Sequence, residues 1–189
     1  MNNNTLRSKL VSIAIKELLA NRWNVLDMKR LSKLSKYPLE KVLLECNSKH
    51  NLIDYWSDNI NFEMVENLSM SELKLVSKKE RVLELMLCRF DVIQSKAREV
   101  KALIKISKKS IVDSSFNFNR AIKGMKLILD YSDISTKGSY GLIKIKALTL
   151  IWLLTLREWS KGELKNEEAI MAVLDKRLVM AEKINHLFI

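Results

Sequence analysis

One proline and four glycines in 189 residues limit what this chain can fold into more than any other feature. Sheets joined by tight turns need residues that accept left-handed or fixed backbone angles, so a chain this poor in them favours long helices with short connections. Leu, Lys, Ile, Glu and Met are abundant, and all except Ile are good helix formers. Apolar residues make up 48% and charged residues 29%, the balance of a globular chain with a real core. The expectation is an all-α protein of about nine helices.

Periodicity places those helices. Leu6, Leu10, Ile13, Ala14 and Leu18 share one face of a first helix to about Ala20. Asp27 can cap a short second helix through Leu34, and Pro38 fits the start of a third that ends near Cys46. Ser48 can cap a longer helix to about Leu68, with Leu52, Ile53, Trp56, Ile60 and Met64 inward. Ser77 and Glu80 have capping-box spacing and open a helix through Phe90 and Ile93. A basic helix follows from about Ser95 to Ser107. The next, near Ser115 to Tyr131, carries Phe118, Ile122, Met125 and Leu129 on one face. Another runs from about Tyr140 to Trp159, where Gly162 stops it. The last begins after Asn166 with Ile170, Val173, Leu174, Leu178, Ala181 and Ile184.

Several chemistries find no residues to support them. Cys46 and Cys88 have no paired spacing and read as buried free thiols. His50 and His186 lack the Glu-x-x-His spacing of helical di-iron sites, and there is no zinc cluster or phosphate-cradling glycine loop. Glu182 and His186, at i,i+4, read as a surface pair. No catalytic residue, metal site or cofactor is expected, and the chain is read as a non-enzyme. The most apolar stretch, Ala147 to Leu156, falls short of the roughly 20 residues a bilayer crossing needs. Met1 to Thr5 is polar, unlike a signal peptide.

The formal charge of +11 is uneven. Residues 1–50 hold ten Lys/Arg against four Asp/Glu, residues 51–135 fourteen against twelve, and residues 136–189 nine against six. A basic first third suits an anionic partner, nucleic acid or membrane surface, although a solvated lysine-rich surface has the same composition.

The two short helices before Cys46 have helix-turn-helix spacing. The run Leu31-Ser32-Lys33-Leu34-Ser35-Lys36-Tyr37-Pro38, continued by Cys46-Asn47-Ser48-Lys49-His50-Asn51-Leu52, resembles the TetR regulators. That likeness implies a three-helix head over 1–47 and a helical body over 48–189. Lys36 stands where the turn glycine is usual, and the expected recognition helix has Lys41 beside Glu40 and Glu45. A duplex reader needs cations for phosphates and polar chains for base edges, and this helix is mostly aliphatic. If it bound DNA, Lys33, Lys36, Lys41 and Lys49 would be the contacts. The head reads instead as a degenerate unit kept for packing, with nucleic acid unlikely as partner.

The C-terminal third carries a second resemblance. Asp130-Tyr131-Ser132-Asp133-Ile134-Ser135-Thr136, Ile145-Lys146-Ala147-Leu148 leading to Trp152, Trp159-Ser160 and Leu174-Asp175-Lys176-Arg177-Leu178 resemble the lipid-binding accessory protein of coenzyme Q (ubiquinone) biosynthesis, a family with a TetR-like fold. Leu52-Ile53-Asp54-Tyr55-Trp56 and the stretch from Arg81 to Arg89 extend the likeness over about residues 25–185. The family's Trp-Tyr pair falls near Gly141, Leu142 and Ile143 here, with Tyr140 the aromatic close by. The resemblance implies a bacterial cytoplasmic protein, peripheral at the inner membrane. It would bind an isoprenoid or phospholipid ligand and present a quinone precursor to a hydroxylase partner. A ligand-responsive TetR-type regulator is the other reading.

The helix from Tyr140 is apolar on almost every side, with Leu148, Leu150, Ile151, Trp152, Leu153, Leu154 and Leu156. Such a helix must be covered all round. A central position, a homodimer through this helix and the last one, or a lipid would each cover it. Met64, Met86, Met125, Phe90, Phe118, Leu127, Tyr131, Leu148, Trp152 and Leu156 are candidate pocket residues, and sequence alone does not separate a filled core from a hollow one. Tyr140, Leu142 and Ile143 beside Lys144 and Lys146 form an expected membrane or partner patch.

Overall fold

The computed structural model describes residues 3–66 and 68–185. Among them are ten α-helices and no strand: α1 (Asn3–Leu19), α2 (Met28–Ser35), α3 (Leu39–Glu45), α4 (Lys49–Glu66), α5 (Met70–Leu73), α6 (Lys78–Ser95), α7 (Ala97–Ser107), α8 (Ile111–Tyr131), α9 (Gly138–Lys161) and α10 (Glu167–Asn185), with a 3-10 turn at Trp23–Val25. The all-α expectation holds, with one helix more than foreseen. That extra helix, α5, is four residues long and too short to leave a periodic trace; Ser69 caps it by accepting from the Glu72 N–H.

The caps explain most boundaries. Asp27 Oδ1 accepts from the Arg30 N–H at 2.7 Å. Ser77 and Glu80 bond reciprocally, at 3.3 Å to the Ser77 hydroxyl and 2.8 Å to the Glu80 carboxylate, which opens α6 where the capping box placed it. Asn166 Oδ1 accepts from the Ala169 N–H and starts α10. Gly162, at φ 79°, closes α9.

The chain divides into two compact units. Unit 1 comprises residues 1–60 and 96–117. Its core joins Leu10, Ala14 and Leu18 of α1 to Leu31 of α2, Val42 of α3, Leu52 and Ile53 of α4 and Leu103 of α7. Unit 2 comprises residues 61–95 and 118–189. In it α10 packs on both α6 and α9, and Leu85, Met86, Phe90, Met125, Leu129, Leu148, Leu174 and Leu178 are fully enclosed.

Helix α9 is 24 residues long and passes, by length and composition, as long and apolar enough to cross a membrane. That differs from the reading based on Ala147 to Leu156, because the apolar run begins before Lys144. The helix is amphipathic in place. Gly141, Lys144, Ile145, Leu148, Ile151, Trp152, Thr155 and Trp159 are buried along one side, as in a core helix of a bundle. The opposite side leaves Ile143, Leu150 and Leu154 exposed within the single chain, so of the three expected covers a wholly central position does not hold. Gly141 is required there, since a Cβ would lie 2.2 Å from the Thr136 carbonyl carbon.

Candidate functional site

The helix-turn-helix closes on an unusual residue. Lys36 adopts φ 62°, ψ 28° at the end of α2, the left-handed conformation that glycine takes without steric penalty. Ser32 Oγ donates to the Tyr37 carbonyl at 2.7 Å and ties the turn. Val42 of α3 is buried against unit 1, while Leu44 is 84% exposed and Leu43 half-exposed beside Glu40 and Lys41. Glu45 is held by Arg7 at 3.1 Å. The outer face of α3 therefore offers aliphatic surface and one lysine, a poor match to base edges. Lys33, Lys36 and Lys41 are exposed. Lys49 departs from the set expected for DNA: its Nζ donates to the Trp23 carbonyl at 2.6 Å and lies over the Trp23 ring. Burial pushes its pKa below the usual lysine range.

Unit 1 also encloses two carboxylates that sequence reasoning missed. Glu17 accepts from Arg22 Nε at 3.0 Å and Arg30 Nε at 2.8 Å. The hydrogen bond from Arg22 is the main reason its pKa is held below the usual carboxylate range, with Arg30 adding to the effect. Asp113, at the start of α8, accepts the Trp23 indole N–H at 2.8 Å and lies 3.6 Å from His50 Nε2. The His50 ring stacks on Phe116 with centroids 3.9 Å apart. Trp23 and Asp113 are ninety residues apart, so no local spacing announces the pair. An open groove of about 470 Å³ also lies in unit 1, floored by Val11, Ile15 and Trp56 and rimmed by Ser12, Lys16 and Tyr55.

In unit 2 the expected pocket residues fall into two groups. Met86, Phe90, Leu148 and Trp152 are buried, whereas Leu127, Tyr131 and Leu156 are half-buried. The Phe90 and Trp152 rings pack with centroids 4.6 Å apart. Phe118 is exposed and does not join them; it shares the α8 stripe of Ala121 and Met125 but is the first residue of α8 in unit 2, ahead of the stretch that this unit encloses. Arg89, absent from the expected set, is enclosed here. Its guanidinium lies over the Trp152 ring at 5.1 Å, donates to Asn61 Oδ1 and covers Gly124, where a Cβ would meet it at 2.7 Å.

The expected patch is exposed at Tyr140, Leu142, Ile143 and Lys146. Lys144 corrects it. This lysine sits on the buried face of α9, 3% exposed, with its Nζ over the Tyr140 ring at 4.9 Å. Burial, and next the neighbouring Lys78, lower its pKa. Cys46 is buried and Cys88 half-buried, both free. Burial raises both thiols, and for Cys88, with Glu84 and Asp91 nearby, the pKa reaches about 11. Among the described residues no group of three His, Cys, Asp or Glu side chains is placed to hold a metal. His186, the expected partner of Glu182, lies outside the described residues.

A head of three helices with a turn between α2 and α3, followed by a body in which α10 lies on α9, defines a TetR-like all-α fold. The structure of a TetR transcriptional regulator from Nitrosomonas europaea is similar to it with a TM-score of 0.67, covering 96% of this chain and 100% of that one at 18% identity. The likeness is one of fold. No family model matches the chain, and no curated protein matches it in sequence.

Proposed function

We propose that this protein is a non-enzymatic lipid-binding accessory protein of ubiquinone biosynthesis, working peripherally at the inner membrane and presenting a quinone precursor to a hydroxylase partner. The observation that carries the reading is the exposed apolar side of α9: Tyr140, Leu142 and Ile143 at its start, then Leu150 and Leu154. Water-facing aliphatic surface at such density marks a lipid or protein partner. In this reading the isoprenoid tail lies in unit 2 beside Phe90 and Trp152, entering past Leu127, Tyr131 and Leu156. The outer stripe of α9 and Met171 and Met180 of α10, all exposed, join two copies into a homodimer.

The test is the mass of what the protein carries. Native mass spectrometry of protein taken directly from cells should show a co-purified polyprenyl or phospholipid species. A bare chain under conditions that preserve control lipid complexes would end the reading. Leu142→Ser with Ile143→Ser should weaken partner or liposome binding with the melting temperature nearly unchanged.

The helix-turn-helix geometry favours one alternative, a TetR-type regulator that moves its head on DNA when the body binds a ligand. Duplex binding at nanomolar concentration with sequence preference would establish it. The aliphatic surface of α3 leads us to expect only weak, sequence-independent binding at physiological salt.

A further inference from the structure

Charge is divided between the units in a way that points to a partner. Unit 1 holds sixteen Lys/Arg against eight Asp/Glu, and two of those carboxylates, Glu17 and Asp113, are buried. Leaving aside Asp113 and the cluster of Glu17 with Arg22 and Arg30, unit 1 has fourteen cations against six carboxylates. Unit 2 holds seventeen against fourteen, and buries Arg89, Arg120 and Lys144. Its outer surface balances, fourteen against fourteen.

The excess of unit 1 has a focus. Along α7 and its C-cap, Arg98, Lys101, Lys105 and Lys108 are exposed at spacings of three, four and three residues, in one stripe. The opposite side buries Val100 and Leu103, and α7 packs against α1. Lys108 and Lys109 lead into α8, whose first two residues, Ile111 and Val112, are 90% and 60% exposed. A recess of about 130 Å³ between Asn24, Lys105, Lys109 and Ser110 adjoins them, and Val25, next to Asn24, is also exposed. Asp113 does not oppose the lysines, since its carboxylate is turned inward to Trp23 and His50.

We propose that this corner of unit 1 docks on an anionic phospholipid surface, with Arg98, Lys101, Lys105, Lys108 and Lys109 over the headgroups and Ile111 and Val112 entering the interface. Lysines alone suit any polyanion. The branched aliphatic pair beside them favours one partner: phosphate contacts use the cations alone, whereas an interfacial site combines apolar insertion with basic attraction. The recess among Lys105 and Lys109 has the volume of roughly four waters, room for headgroup oxygens. The surface is separate from the patch at the start of α9 and does not depend on which lipid the body carries.

The full chain should co-sediment with vesicles of phosphatidylcholine mixed with phosphatidylglycerol, and not with phosphatidylcholine alone. Binding should weaken as salt rises. Lys108→Glu with Lys109→Glu should lower vesicle affinity on the order of tenfold or more. Ile111→Ser with Val112→Ser should lower it severalfold, and both variants should keep the parent melting temperature and any co-purified lipid. Failure of the chain to bind anionic vesicles overturns the proposal, as does a folded charge-reversed variant that binds like the parent. If the aliphatic change leaves vesicle binding intact while duplex DNA competes fully for the lysines, the surface is a nucleic-acid site and the proposal is wrong. Loss of the co-purified lipid with vesicle binding retained would count against the proposed function alone.

Discussion

The two units bury opposite charges. Unit 1 encloses the carboxylates of Glu17 and Asp113, and unit 2 the cations of Arg89, Arg120 and Lys144. The groups around them differ in kind as well. Glu17 is answered by Arg22 and Arg30, long chains that remain about half in water, so the pair can be lost without leaving a stranded charge. Arg89 is 5% exposed, with an aromatic ring, an amide and a glycine among its neighbours. Removing one partner of a buried charged group is the damaging event, more than the net worth of the pair.

Four ways of breaking this contrast follow, in order of expected effect, each read by urea unfolding together with hydrogen exchange, which resolves the units. Arg89→Ala should destabilise unit 2 by about 3–5 kcal/mol, leaving Asn61 without its donor and a void beside Trp152. An effect below about 1 kcal/mol would mean that unit 2 tolerates the change as readily as a surface. Gly141→Ala should cost about 1–3 kcal/mol, because the added Cβ collides with the Thr136 backbone at 2.2 Å. Glu17→Ala should cost about 1–2 kcal/mol and act on unit 1. Its pKa is lowered in the folded chain, so its contribution is present above the usual carboxylate range and fades as pH falls through the lowered value. The parent should therefore lose more stability than the variant on acidification, and parallel pH profiles would refute the assignment. Lys36→Gly should stabilise unit 1 by about 0.5–1 kcal/mol by relieving φ 62°.

Much of the fold was legible because caps and periodicity are local. Ser77 with Glu80, Asn166 and Gly162 each act within a few residues, and each boundary fell near its signal. Cover is a property of the assembled chain and was harder to read. Lys144 and Ile143 are neighbours in sequence, yet the pitch of α9 sends one inward and the other to water. Phe118 followed the apolar rhythm of α8 and ended outside because it stands at the edge of unit 2, where the stripe begins. The carboxylate pairs of unit 1 were invisible for a different reason. Trp23, His50 and Asp113 meet only through tertiary packing, and a lone histidine carries no spacing that implicates a distant aspartate.

The raised thiols have a practical consequence. With Cys88 at about 11 and Cys46 pushed up in the core, little thiolate exists at neutral pH in the native chain. A cysteine introduced at Leu44, on the outer face of α3, or at Leu150, 59% exposed on α9, would react far faster with a maleimide than either native one. The parent sequence can thus serve as an unaltered background for paired spectroscopic labels, one in each unit.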